Sequence, residues 1–327
     1  MKLVLLLLIG LSLFGGDFES MKRSFENGDI DRAITYTRTP AMDGNVAAMY
    51  DLGLLYYAKG SLREALEWFQ RSVKNEGKGQ LGVSIILFSQ SRNRDGYKKV
   101  VESLIDLPKS PLRDALMAVS SDLSANRNEA SAESYLTVAG LFYDDSIVSP
   151  DQRIALFLTN QAANKGDAKA MELMGDAYWR SNFTQDTLIV APQTGNALNI
   201  ALEYYTNASN RGNYDAMAKA GKLFIIGPRN LRRIDYGVEL ITKAAEEGST
   251  LAAQMLGEMY MNGEGVTANG EAALHWLLKA TDHCDANRLL ANLYGTGDEA
   301  KKYAEAYTVC SKPQSAGKRY NLLFEPF

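Results

Sequence analysis

Apolar and small side chains recur at helical spacing in the stretch 251–280, which reads LAAQMLGEMYMNGEGVTANGEAALHWLLKA. A glycine-rich turn separates two such sets, Ala253, Leu256, Gly257 and Tyr260 before it, and Ala273, Leu274, Trp276, Leu277 and Ala280 after it. This pattern predicts two short amphipathic helices that close into an antiparallel hairpin. Gly257 and Ala280 allow the backbones to approach closely, whereas Tyr260 and Trp276 fill the space between neighbouring hairpins. Because one hairpin cannot bury both of its faces, the pattern predicts further copies.

Further copies share a Gly or Ala that is followed three residues later by Tyr or Phe. The pairs are Gly53/Tyr56, Gly140/Tyr143, Gly175/Tyr178, Gly221/Phe224, Gly257/Tyr260 and Ala291/Tyr294. From Gly140 onward they recur about every 35 residues, which is typical of helical hairpin repeats, apart from a longer interval after Gly175. A glycine suited to a left-handed helix C-cap also recurs, at Gly44, Gly166, Gly212 and Gly248, with Cys284 in its place once. The sequence therefore predicts an all-α fold of repeated hairpins.

These residues resemble the Sel1-like repeat family, a branch of the tetratricopeptide-like helical repeats. The stretch 251–280 carries the LG-x-x-Y, G-x-G-V and A-x-x-W-x-x-K-A elements of that family, and 45–77 and 132–248 match it in part. The resemblance implies a right-handed α-solenoid of stacked antiparallel hairpins that serves as a protein-interaction scaffold.

Residues 17–327 are predicted to form a single solenoid, since a solenoid grows one repeat at a time and has no size at which its core must split. Two irregular stretches interrupt it. The period weakens over 78–130, where a helix at 112–123 has no obvious partner. The insertion 181–194, SNFTQDTLIVAPQT, accounts for the long interval and is either a binding loop or a passive one.

The first sixteen residues are predicted to be a signal peptide. Lys2 precedes an apolar run, Leu3 to Phe14, which has the length of a signal-peptide core and is too short to cross a bilayer. Export to the periplasm or secretion follows, with no transmembrane segment in the mature chain. An uncleaved membrane anchor is the alternative, because a cut after Gly16 would leave bulky Phe14 where a small residue is preferred.

Charge and motif content argue against several functional classes. The 35 basic and 39 acidic residues are interspersed and give a net charge of −4, without the basic stripe of a nucleic-acid binder. His275 and His283 are the two histidines. Asp282, His283 and Cys284 could suggest a metal or nucleophile site, but consecutive residues at a helix end point in different directions. We therefore predict no enzyme activity, no cofactor and no metal site.

The two cysteines, Cys284 and Cys310, flank the predicted turn of the last hairpin near 295–297. They should lie level on antiparallel helices, and an oxidising compartment favours their pairing. The sequence predicts a Cys284–Cys310 disulfide, and two separate buried thiols are the alternative.

Three functional hypotheses remain. The first is an exported scaffold that binds another protein or peptide on its concave, first-helix surface. The second is a periplasmic assembly factor of an exopolysaccharide or envelope export machine, which more aromatic residues on that surface would favour. The third is an enzyme accessory subunit, which would need an ordered His or carboxylate cluster.

Partner-binding residues are predicted from the positions three before, one after and four after each repeat glycine, which should point away from the core. They are Tyr50, Leu54, Tyr57, Glu172, Asp176, Trp179, Lys222, Ile225, Gln254, Glu258 and Met261. The alternative is that these side chains solvate the helix or pack on the next turn.

Overall fold

The structure is a computed structural model that describes residues 16–73, 78–142, 152–184 and 197–311. These residues form seventeen α-helices and no strand. In chain order the helices are α1 (Gly16–Glu26), α2 (Ile30–Met42), α3 (Val46–Ala58), α4 (Leu62–Arg71), α5 (Lys78–Gln90), α6 (Arg94–Leu104), α7 (Pro111–Ala125), α8 (Ala132–Ala139), α9 (Gln152–Asn164), α10 (Ala168–Thr184), α11 (Ala197–Ser209), α12 (Tyr214–Ile226), α13 (Ile234–Glu246), α14 (Thr250–Asn262), α15 (Gly270–Leu278), α16 (Cys284–Tyr294) and α17 (Asp298–Cys310). None of the described helices combines the length and apolar character that crossing a membrane requires.

Contacts divide the chain into two compact units, with the division between Lys165 and Gly166. The first unit contains α1 to α9, and the second contains α10 to α17. That residues 17–327 form one continuous solenoid stays a prediction.

Each unit is built from antiparallel hairpins, as the repeat pattern predicts. In the first unit α1 packs on α2, α3 on α4, α5 on α6 and α8 on α9. In the second unit the hairpins are α10/α11, α12/α13, α14/α15 and α16/α17, and the first helices α12, α14 and α16 also contact one another in series. The predicted fold class, an all-α stack of helix hairpins, is confirmed.

The repeat glycines permit the close helix packing that the sequence predicts. A Cβ atom on Gly257 would lie 2.5 Å from Cγ of Leu277, which is fully buried on the second helix of the same hairpin. A Cβ on Gly175 would lie 2.5 Å from the ring of Tyr205. Any side chain at these positions would have to displace a large buried neighbour.

The glycines that follow second helices adopt the left-handed conformation expected of them. Gly44, Gly166, Gly212 and Gly248 have φ values of 94°, 92°, 82° and 96°. Cys284 does not take this role, because it begins α16 and is absent from the described residues with positive φ. At this repeat position the chain therefore has Cys284, at the start of α16, where the other repeats have a left-handed glycine.

The irregular segment 78–130 is more regular than its sequence suggests. Helices α5 and α6 form a hairpin, and α7 packs between α6 and α8. The helix predicted at 112–123 thus has packing neighbours, although it has no second helix of its own among those described. Buried Asp122 fixes the following loop, since its carboxylate accepts hydrogen bonds from the backbone N–H groups of Glu129 and Ala130 and from the Tyr135 hydroxyl.

Two predicted features fall largely outside the described residues. The signal peptide, 1–16, lies outside them apart from Gly16, which begins α1. Helix α10 extends through Thr184 and so includes the start of the insertion 181–194, and the rest of the insertion lies outside the described residues.

Candidate functional site

The predicted partner-binding residues of the first unit are buried. Tyr50, Leu54 and Tyr57 on α3 are only 5%, 2% and 5% exposed. The Tyr50 ring lies 5.6 Å from that of Phe69 on α4, and burial raises the pKa of the Tyr50 hydroxyl. The expectation that these side chains point away from the core is wrong. The physical reason is that α3 is apolar on nearly every side and is covered by α2, α4 and α5.

The predicted partner-binding residues on α12 and α14 are of two kinds, apolar side chains that pack on the core and polar side chains without a described partner. Ile225 and Met261 are partly buried against the core formed by α12 to α17. Lys222 on α12 is exposed, whereas Gln254 and Glu258 on α14 are half-buried. Among the residues that the structure describes, these three make no side-chain hydrogen bond or ion pair.

The remaining predicted residues, Glu172, Asp176 and Trp179, meet on one side of α10. Glu172 is only 3% exposed, so the expectation that it faces solvent is wrong. Asp176 and Trp179 are half-buried, and the Trp179 ring lies 6.5 Å from that of Tyr205 on α11.

Glu172 and Asp176 belong to a connected set of polar side chains that we call the Glu172 cluster. Its members are Lys169, Glu172, Asp176, Tyr205, Asn213 and Lys219. The Lys219 ammonium donates to Oε1 of Glu172 at 2.6 Å and to Oδ2 of Asp176 at 2.7 Å. Lys169 and Asn213 donate to Oε2 of Glu172 at 2.7 and 2.9 Å, and the Tyr205 hydroxyl donates to Oδ1 of Asp176 at 2.7 Å. The cluster thereby joins α10, α11 and α12.

Burial and charge act in opposite directions on the ionised groups of this cluster. Burial alone would raise the pKa of Glu172, but hydrogen bonds from Lys169, Lys219 and Asn213 hold that pKa below its ordinary value. Burial alone would lower the pKa of Lys219, but Asp176 and Glu172 raise it. Both groups are therefore charged at neutral pH, and burial raises the pKa of the Tyr205 hydroxyl beside Asp176.

A surface groove of about 440 Å³ borders the cluster at Lys169 and Asn213. Its remaining lining comes from the loops after α11 and α13, from the start of α12 and from Ala168; these residues are Arg211, Gly212, Tyr214, Asp215, Glu247, Gly248 and Ser249. The Ser249 hydroxyl donates to Asp215 at 2.6 Å. The charged side chains that line the groove are two basic ones, Lys169 and Arg211, and two acidic ones, Asp215 and Glu247.

Sequence reasoning missed Lys219, Tyr205 and Asn213. Lys219 lies between two buried alanines, Ala218 and Ala220. A charged residue in such a run needs a buried counter-charge, and that signal could have predicted its pairing with Glu172.

Asp282, His283 and Cys284 each make a contact that holds neighbouring helices together. The Thr250 hydroxyl lies 2.9 Å from Nε2 of His283 and donates to Asp282 at 3.1 Å. Cys284 is joined to Cys310 in a disulfide with Cα atoms 5.6 Å apart, as the sequence predicts. Within the described ranges, no three His, Cys, Asp or Glu side chains are grouped so as to hold a metal ion.

Comparison with known proteins identifies the repeats. The Sel1 repeat family matches at 46–76, 133–167, 215–249 and 250–283. The chain is 26% identical over 310 residues to the chitin synthase regulator SKT5 of Saccharomyces cerevisiae, covering 84% of this chain and 43% of that protein. It is 31% identical over 131 residues to protein sel-1 homolog 2 of Mus musculus, covering 39% and 17%. The chain thus spans less than half the length of these curated relatives.

Two solved structures are also similar to the chain. A Sel1 repeat protein from Oxalobacter formigenes aligns over 89% of this chain and 96% of its own, with a TM-score of 0.48 and 16% identity. The protective antigen c5321 of uropathogenic Escherichia coli, described as having an SLR fold, aligns over 94% and 83%, with a TM-score of 0.32 and 19% identity. The chain thus contains four segments that match the Sel1 repeat, and the helices in each of these segments pair as a hairpin.

Proposed function

We propose that the chain is an exported scaffold that binds a partner protein or peptide on the first-helix face of its second unit. Sel1 repeats imply a protein-interaction scaffold. The observation that carries the proposal is that Lys222, Gln254 and Glu258 lie on the neighbouring first helices α12 and α14. Their side chains form no hydrogen bond or ion pair with any described residue. Their polar groups are thus available to a partner, with half-buried Trp179 on the preceding first helix as an apolar anchor.

Export is part of this proposal and has two supports. The apolar run from Leu3 to Phe14 has signal-peptide character. The Cys284–Cys310 disulfide is of a kind that persists in oxidising compartments.

The two alternatives gain less support. Carbohydrate recognition would draw on exposed aromatic rings, and Tyr50 and Tyr57 are buried. An enzyme accessory subunit would need an ordered His or carboxylate cluster. The carboxylates of Glu172 and Asp176 are ordered, but Lys169 and Lys219 already pair with them. The His283 ring contacts the Thr250 hydroxyl, and the His275 ring lies edge-on to Trp276.

A charge-swap experiment tests the proposal. The double variant Lys222→Glu with Glu258→Lys preserves net charge while it inverts the first-helix face. The matched control is Glu239→Lys with Lys243→Glu, which inverts two exposed residues of the second helix α13. Tagged proteins are used to isolate partners from periplasmic extract of the source cells, and captured proteins are quantified. We expect proteins captured by the wild type to be lost from the first variant and retained by the control. Equal capture by all three proteins would refute the first-helix face as the binding surface.

A further inference from the structure

The loop between α12 and α13 concentrates positive charge in an acidic protein. Arg229, Arg232 and Arg233 are all exposed, whereas the chain as a whole carries a net charge of −4. Arg229 and Arg233 make no side-chain hydrogen bond or ion pair with any described residue. Arg232 donates from Nε to the backbone carbonyl of Gly227 at 3.3 Å, which leaves its other N–H groups available.

Exposed apolar side chains flank these arginines. Ile226 ends α12 and is 50% exposed, and Ile234 and Tyr236 begin α13 with 42% and 44% exposure. The Tyr236 ring packs edge-on against Phe224 at 5.1 Å, which fixes its orientation. Ile234 also supports the turn of the next hairpin, since a Cβ on Gly265 would lie 3.1 Å from its Cγ2 atom.

The loop itself is held in shape by its backbone. The N–H groups of Leu231 and Arg232 donate to the Pro228 carbonyl at 2.8 and 3.0 Å. The N–H of Arg233 donates to the Phe224 carbonyl at 2.8 Å. The arginines are therefore presented from an ordered loop, which lowers the entropic cost of binding.

We propose that the surface formed by Ile226, Arg229, Arg232, Arg233, Ile234 and Tyr236 is a second docking site, and that its occupant is an acidic peptide segment with an interspersed aromatic or aliphatic side chain. Arginine pairs with carboxylates in bidentate geometry, and the flanking apolar side chains bury the apolar residue of the peptide. Two exposed carboxylates at the margin, Asp235 and Glu264, favour a narrow peptide over a broad anionic membrane surface, which would contact them as well. This site is independent of the first-helix face.

The test measures binding of a fluorescein-labelled peptide of alternating Glu and Phe residues to the full-length chain. Fluorescence anisotropy compares the wild type with the variant Arg229→Ala, Arg232→Ala, Arg233→Ala. The control, Lys98→Ala, Lys243→Ala, Lys301→Ala, removes the same charge from exposed helix positions that belong to neither proposed binding surface. We expect the arginine variant to bind about tenfold more weakly and the control to bind as the wild type does. A second peptide, in which Gln replaces every Glu, should bind to the wild-type protein about as weakly as the Glu peptide binds to the arginine variant.

Three other outcomes overturn the proposal. Equal weakening by both triple variants would mean that the peptide responds to net charge alone. Arginine-dependent binding to vesicles containing phosphatidylserine, without peptide binding, would assign the surface to membranes. Arginine-dependent self-association in sedimentation would assign it to a second copy of the chain. Thermal unfolding of each variant shows that the fold is retained, as expected for substitutions of exposed side chains.

Discussion

The Lys219 ammonium lies 2.6 Å from Oε1 of Glu172, and this ion pair connects α12 to α10 within the second unit. Both charges are shielded from water, with side-chain exposures of 20% for Lys219 and 4% for Glu172. Removal of one partner leaves the other charge buried, and such losses are larger than the net contribution of the pair.

Substitution of Lys219 by Met should therefore destabilise the second unit by about 3 kcal/mol. The matched control is Lys222→Met on the same helix, which removes an exposed lysine and should change stability by less than about 0.5 kcal/mol. Urea unfolding followed by circular dichroism measures both. Similar midpoints for the two variants would contradict the structural role of the Glu172 cluster.

The same cluster predicts a dependence of stability on pH. The folded state holds the pKa of Glu172 below the ordinary carboxyl value of 4.5, so its contribution is fully present above that value and is lost as the pH falls through the lowered pKa. Between about pH 5 and pH 3, the melting temperature of the wild type should fall more steeply than that of Glu172→Gln. Parallel curves would show that Glu172 does not carry this acid sensitivity.

The hairpin packing predicts opposite effects for two Gly→Ala substitutions. Gly257→Ala places a methyl group against buried Leu277 and should destabilise the protein by about 1–3 kcal/mol. Gly270→Ala, at the start of α15, meets nothing within 4 Å and should be neutral or stabilising by up to about 1 kcal/mol. Differential scanning calorimetry measures the melting temperature of both variants. A melting temperature of Gly257→Ala equal to that of the wild type would mean that the two helices are less closely packed than described.

The Cys284–Cys310 disulfide should stabilise the last hairpin. Its sequence separation of 26 residues corresponds to about 3 kcal/mol in the loop-entropy description. Intact-mass measurement of the denatured protein, isolated from cells and alkylated before and after reduction, should show two thiols modified only after reduction. Two thiols modified without reductant would exclude the disulfide.

The repeated helices and turns could be predicted from the sequence because each repeat needs the same residue types at the same positions. Gly257 and Gly248 could be read directly, since close helix packing and a left-handed turn both demand glycine. The exposure of the binding positions could not be read in the same way. Tyr57 is buried because both α4 and α5 pack against its helix, α3. Glu172 is buried because Lys219 and Asn213, which belong to the next repeat, donate hydrogen bonds to its carboxylate. Such contacts depend on how successive hairpins are placed, which repeat spacing alone does not specify.

Site-specific photo-crosslinking tests the central claim, that the first-helix face of the second unit binds a protein. Benzoylphenylalanine is introduced singly at Lys222 or Glu258 on that face, and at Glu239 or Lys243 on α13 as controls, in cells that express the full chain. The account predicts one discrete adduct from positions 222 and 258 and none from 239 and 243. Adducts of equal yield from all four positions, or from the α13 positions alone, would contradict it.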